Sequence, residues 1–175
     1  MKYLIDLDAS LCCACGACAV ACMDQNDIDL KAGESPFRIT FDLESDNRKL
    51  AYISMACMHC EDAPCVNACP VGCLRKDESS GFTLYDTTNC IGCHSCALAC
   101  PFGAPSFAAG GKMQKCDGCF TRIQCGMEPA CVRHCPTGAL RLIREDDLKE
   151  VRMDRSLKKL AASIMHDGSE ETGRS

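Results

Sequence analysis

With 175 residues, no tryptophan and only 5% aromatic residues, the chain could form one ordinary domain or two small ones, but it has little material for an apolar core. A formal charge of −5 argues against nucleic acid as a partner, and there is no apolar run of the roughly 18 residues a membrane-spanning helix needs. The opening MKYLIDLDASLCCAC has neither twin arginines nor an apolar h-region, so no export signal and a cytoplasmic location are expected.

Lys2 to Leu7 alternates and ends at Asp8-Ala9-Ser10, the pattern of a short strand feeding a loop. That loop carries Cys12-x2-Cys15-x2-Cys18-x3-Cys22, in which Cys12 rather than Cys13 gives the x2 step to Cys15. Ala14, Gly16 and Ala17 are small enough for the backbone to close on a bound group, and Ala19 to Met23 reads as a helical turn. Residues 24–56 hold no cysteine. There Pro36–Phe41 and Leu50–Ser54 read as a hairpin across the polar turn Glu44–Lys49, taken as a cover over a neighbouring site in preference to a partner-facing insertion.

Three further motifs follow: Cys57-x2-Cys60-x4-Cys65-x3-Cys69-Pro70, Cys90-x2-Cys93-x2-Cys96-x3-Cys100-Pro101 and Cys116-x2-Cys119-x11-Cys131-x3-Cys135-Pro136. Together the four account for sixteen of nineteen cysteines. A C-x2-C-x2-C run lets three thiolates hold three corners of one [4Fe–4S] cube, while the cysteine three residues on turns away to a second cube. Zinc quartets have no use for a fourth cysteine at x3 repeated in every motif, and a disulfide framework belongs to short secreted chains. Four [4Fe–4S] clusters are therefore expected, each oxidised cube with its thiolates adding about −2 to the charge. Filling the interior in place of a conventional core, they would supply folding free energy.

Residues 57–101, with the strand-like Gly81–Tyr85 between their two motifs, have the layout of a two-cluster bacterial ferredoxin. Crossing the fourth cysteines assigns Cys57, Cys60, Cys65 and Cys100 to one cube and Cys90, Cys93, Cys96 and Cys69 to its neighbour. The outer motifs, flanked by Lys2–Leu7 and Gly138–Ile143, pair by the same rule: Cys12, Cys15, Cys18 and Cys135 hold a third cube, and Cys116, Cys119, Cys131 and Cys22 a fourth. The expected fold is α+β, with an outer ferredoxin-like unit (1–23 and 102–143), a hairpin insertion (24–56), a nested inner unit (57–101) and a C-terminal helix and tail (144–175). Tandem pairing, first motif with second and third with fourth, is the alternative; Pro101–Lys115 offers it no strand-like run to close a separate unit.

Cys125 competes with Cys131 as a ligand, but only Cys131 has the x3 step to Cys135 and the preceding proline that Cys65 shares. Cys13, Cys73 and Cys125 are left as small buried thiols. His59, His94 and His134 lie within motifs already supplied with four cysteines and are read as tuning solvation or donating to sulfur; Met55, Met58 and Met113 are read as packing residues. No paired carboxylates, no nucleophile with a base and no nucleotide-binding glycine fingerprint suggest a catalytic centre. From Glu145 a helix is expected, with Met153, Leu157, Leu160, Ala161 and Ile164 on one stripe that either docks on a partner or packs back on the protein itself, before a polar tail over 169–175.

The strings ACMHCEDAPCVNACP, GFTLYDTTNCIGCHSCALACPFGAP and KMQKCDGCFTRIQCGMEPACVRHCPTGAL resemble the iron–sulfur electron-transfer subunits of the dimethyl sulfoxide reductase family, which includes those of formate dehydrogenases and polysulfide reductases. The resemblance runs over residues 2–143 and implies a non-catalytic subunit bound to a molybdenum or tungsten pterin catalytic subunit, with the nested cysteine pairing. The sequence departs in lacking a membrane-anchoring C-terminal helix and a long C-terminal extension, and in three extra cysteines, which shifts weight from docking on a membrane quinone subunit to a soluble complex. The expected function is relay of single electrons between that catalytic subunit and a second redox partner. A free polyferredoxin, an electron-transfer subunit of a hydrogenase and a regulatory module are the alternatives; a sensor needs only one cube, and a diffusing carrier gains little from a hairpin and a terminal helix.

Overall fold

The computed structural model describes residues 1–44 and 50–167. The expected turn over 45–49 and the tail after 167 lie outside the described residues. In chain order the elements are β1 (Tyr3–Leu7), α1 (Ala17–Gln25), β2 (Ile39–Glu44), β3 (Leu50–Met55), α2 (Pro64–Asn67), β4 (Leu74–Lys76) and β5 (Thr83–Tyr85). They continue with α3 (Ser95–Ala99), β6 (Ser106–Phe107), β7 (Met113–Gln114), α4 (Phe120–Gln124), α5 (Ala130–Arg133), β8 (Leu140–Arg144) and α6 (Leu148–Asp167).

The strands form four two-stranded antiparallel sheets, which with the short helices make a mixed α and β architecture. β1 pairs with β8 from Tyr3 opposite Arg144 to Leu7 opposite Leu140, so the two ends of the cysteine-bearing region are one ladder. β4 pairs with β5 between the second and third motifs. The segment 101–115, read from sequence as strandless, carries β6 and β7, closed by a turn in which Gly111 N–H donates to Ala108 O at 2.8 Å. Two-residue ladders of this kind are shorter than any alternating pattern can signal.

Isolated two-stranded ribbons are marginal in water, and what holds these is the thiol-rich interior. One core joins Ala63, Cys65, Leu74, Cys96 and Met113; a second joins Cys18, Cys131, Val132 and Leu140; a third joins Cys22, Phe37, Ala56 and Cys116. Each mixes cysteines from different motifs, so the helices α1, α2, α3 and α5 are positioned by the sulfurs they present inward. Met113 is buried as a packing residue, whereas Met58 is 49% exposed.

The hairpin β2–β3 is turned unexpectedly. Thr40 and Ser54, cross-strand partners, face the first motif, while Ile39, Phe41 and Leu43 on the opposite face are all exposed. It therefore covers a cysteine set with its polar side and shows solvent its apolar one. α6 follows a 3-10 turn at Glu145–Asp147 and touches the body through Leu148, Val151 and Arg155; Arg155 pairs with Asp6 and, at 3.5 Å, with Asp8 beside β1. Its apolar stripe faces away, with Met153, Leu157, Leu160 and Ile164 each more than half exposed.

Candidate iron–sulfur site

The four motifs share a local conformation. In each, the residue just before the second cysteine adopts left-handed backbone: Ala14 (φ 50°), His59 (φ 47°), Gly92 (φ 65°) and Gly118 (φ 77°). A left-handed residue within such a turn lets successive N–H groups converge on one centre. Non-glycine residues pay for it, so its recurrence at four loops of unlike sequence marks a common demand at each.

Backbone and side-chain donors then meet the sulfurs. The fourth cysteine of three motifs accepts an N–H from the turn beyond its proline: Cys69 from Cys73 at 3.2 Å, Cys100 from Ala104 at 3.4 Å and Cys135 from Leu140 at 3.5 Å. Cys22 has no proline after it, α1 runs on, and the Asn26 side chain one turn later supplies the donor at 3.6 Å. Gly118 N–H reaches Cys116 at 3.4 Å and Met113 N–H reaches Cys90 at 3.4 Å. Ser54 Oγ lies 3.2 Å from Cys18 Sγ and itself accepts from buried Arg38 at 3.0 Å. Lys76, whose Nζ donates to the carbonyls of His59, Cys60 and Gly81, ties the second motif to the β4–β5 turn.

The thiols gather across motifs. One small hollow, partly open to solvent, is lined by Cys12, Cys15 and Cys18 of the first motif together with Cys135 of the fourth. Another is lined by Cys90, Cys93 and Cys96 of the third together with Cys69 of the second. Cys22 packs in a core with Cys116, and its thiol senses Cys131 and Cys119. Cys65 senses Cys57 and Cys100. Cys57 in turn packs against the core that holds Cys22 and Cys116, where the two sets meet.

Of the three surplus cysteines, Cys73 is buried and lines the third-motif hollow, Cys13 is exposed at the rim of the first, and Cys125 is exposed after α4. His59 is buried, accepts from Thr83 N–H at 3.0 Å and stands 3.7 Å from Cys116 Sγ. His94 instead stacks on Phe107, and His134 bonds the Ala130 carbonyl. Sequence reasoning missed Asn26, Arg38, Ser54, Lys76 and Lys115; only Asn26, at i+4 from a cysteine on a helix, left a signal.

Burial pushes the Cys22 thiol up to about 12, and it also raises Cys18, Cys65, Cys96, Cys116 and Cys119. Cys69 and Cys135 are lowered despite burial, because several N–H groups converge on each sulfur. A thiol must lose its proton to ligate a metal, so metal uptake at these sites releases protons. Among the described residues no three Cys, His, Asp or Glu side chains converge on a single metal ion. Two of the cysteine sets line a shared hollow, and a donor set made of cysteine alone fits iron–sulfur clusters.

A family model described as the 4Fe-4S dicluster domain matches residues 48–145, more than half of the chain, including twelve of the sixteen motif cysteines. This protein belongs to the 4Fe-4S dicluster family. Within that family it is 38% identical over 165 residues to the B subunit of the anaerobic dimethyl sulfoxide reductase of Shigella flexneri, covering 87% of this chain and 78% of that one. It is 37% identical over 150 residues to the thiosulfate reductase electron transfer subunit PhsB of Salmonella typhi, covering 83% and 78% respectively. To the iron-sulfur subunit of the nitrate-inducible formate dehydrogenase of Escherichia coli K12 it is 34% identical over 179 residues, covering 93% of this chain and 61% of that subunit. These alignments reach well beyond the dicluster region.

Proposed function

We propose that the chain is a non-catalytic electron-transfer subunit that relays single electrons between a molybdenum or tungsten pterin catalytic subunit and a second redox partner. Bound [4Fe–4S] clusters, four in number, would supply the one-electron chemistry. Their ligands are Cys12, Cys15, Cys18 and Cys135; Cys116, Cys119, Cys131 and Cys22; Cys57, Cys60, Cys65 and Cys100; and Cys90, Cys93, Cys96 and Cys69. The observation that carries this reading is the lining of the two hollows, in which three cysteines of one motif meet the fourth cysteine of another, first with fourth and third with second.

Contacts between the sets support a linear relay. Cys18 and Cys22 lie one helical turn apart on α1, Cys57 packs against the core that holds Cys116, and Cys65 on α2 stands four residues before Cys69. The β1–β8 and β4–β5 ladders support an outer unit (1–23 and 102–143) around an inner one (57–101), with the hairpin (24–56) and the helix and tail (144–175) added. The partner reading draws on the relatives' names as parts of multi-subunit enzymes and on the solvent-facing apolar sides of β2–β3 and α6. Among the described residues no helix is long and apolar enough to cross a membrane, and a cytoplasmic location belongs to the same proposal.

Iron and acid-labile sulfide analysis tests the count: about sixteen of each per chain are expected. Serine at Cys13, Cys73 or Cys125 should leave that content intact, whereas serine at Cys131 should lower it. Retention after Cys131→Ser with loss after Cys125→Ser would refute the ligand set. Purification from the native source should bring a pterin-containing subunit with the chain, and the isolated chain should turn over neither formate nor sulfoxides.

A further inference from the structure

Lys115 is 1% exposed, between β7 and Cys116. Its Nζ donates to the carbonyl oxygens of Thr83 and, at 2.8 Å, Cys116, stands 3.8 Å from Cys57 Sγ, and lies 5.7 Å from the centre of the Tyr85 ring. An ammonium has three N–H donors and no acceptor, and this cage offers three acceptors and an aromatic face. Burying a cation is costly unless negative charge meets it. Two carbonyls and a ring are weak compensation, whereas Cys57 as a ligating thiolate would supply the charge 3.8 Å away. Thr83 and Cys57 belong to the 57–101 segment and Cys116 to the fourth motif, so the ammonium stands on the seam between the two pairs of cysteine sets.

We propose that Lys115 is a positioning residue whose positive charge raises the reduction potential of the cluster that Cys57 would help to hold. The role rests on the ligand assignment above. Reduction adds negative charge to a cluster and its thiolates, and a cation 3.8 Å from one of those sulfurs in a water-poor interior favours the reduced state. A strap whose only task is to close the Thr83 and Cys116 carbonyls would leave the potentials alone.

The test uses full-length protein purified anaerobically as wild type, Lys115→Met, Lys115→Gln and Lys115→Arg. Each is assayed for iron and titrated with dithionite in the presence of mediators, with reduction followed by electron paramagnetic resonance. The neutral variants should keep wild-type iron and show at least one midpoint displaced downward by a tenfold or greater change in the reduction equilibrium, about 59 mV for one electron. The arginine variant should stay inside that limit. Neutral variants replete in iron but with wild-type potentials would overturn the proposal. So would loss of iron from both neutral variants, which would make Lys115 a support of the fold alone. Wild-type protein without cubane signals would bring down the ligand assignment and this role together, an outcome that iron content and spectrum distinguish from the other two.

Discussion

Gly118 and Gly16 both have left-handed φ, but only one is crowded. A Cβ on Gly118 would come within 2.5 Å of the Phe82 ring, which is fully buried, while a Cβ on Gly16 meets nothing within 4 Å. Gly16→Ala should therefore cost the left-handed strain alone, about 1–2 kcal/mol. Gly118→Ala adds overpacking of about 1–3 kcal/mol to the same strain, because the ring has no open space to retreat into. Thermal unfolding of the two variants with iron content monitored checks this order; equal losses would mean that the Phe82 contact is softer than it looks. Ala14 and His59 carry the same strain natively, which fits loops whose geometry is dictated by what they hold rather than by their own preferences.

At the scale of elements, α6 is held by a charge clamp and not by its apolar stripe. Arg155 is 28% exposed and Asp6 and Asp8 are 17% and 19%, so solvent screens the pair only in part. Arg155→Ala should loosen the helix by about 1 kcal/mol, read as faster hydrogen exchange over 148–160 with β1 unchanged. Truncation after Arg144 should leave iron content intact and abolish association with the catalytic partner; loss of iron would show that the helix supports the fold. Much at this scale was legible in the sequence. The strand at Tyr3–Leu7, the two hairpin runs and the terminal helix follow from alternation and from the 3.6-residue stripe. Which way the hairpin faces was not legible, because alternation gives two sides without saying which is inward, and Ser54 is drawn in by Cys18 and Arg38. β4, β6 and β7 are two or three residues long and form because thiol-lined cores lie beneath them, so local pattern could not announce them.

For the whole molecule, the meeting of Cys12, Cys15 and Cys18 with Cys135, and of Cys90, Cys93 and Cys96 with Cys69, was legible in the spacing of the motifs. Arg38 and Lys115 were not, since each meets its sulfurs only after segments tens of residues apart have come together. Of nineteen buried apolar residues among those described, seven are cysteine and four are alanine, too few large side chains to stabilise the fold unaided. Removal of iron by a chelator under anaerobic conditions should accordingly abolish tertiary structure, seen as loss of near-ultraviolet circular dichroism, and a native-like apoprotein would contradict that account. The β1–β8 ladder has a further consequence, for biogenesis. Leu7 pairs with Leu140, so a nascent polypeptide exposes β1 and the first cysteine motif before their partners have been made. At translation rates of about 5–20 residues per second, the roughly 130 intervening residues mean a wait of roughly 6–26 s. Through that interval the segment around 57–101 is synthesised whole and can close on its own thiols, while Cys12, Cys15 and Cys18 stand open to oxidants and stray metals, which makes the amino terminus the last part of the protein to be secured.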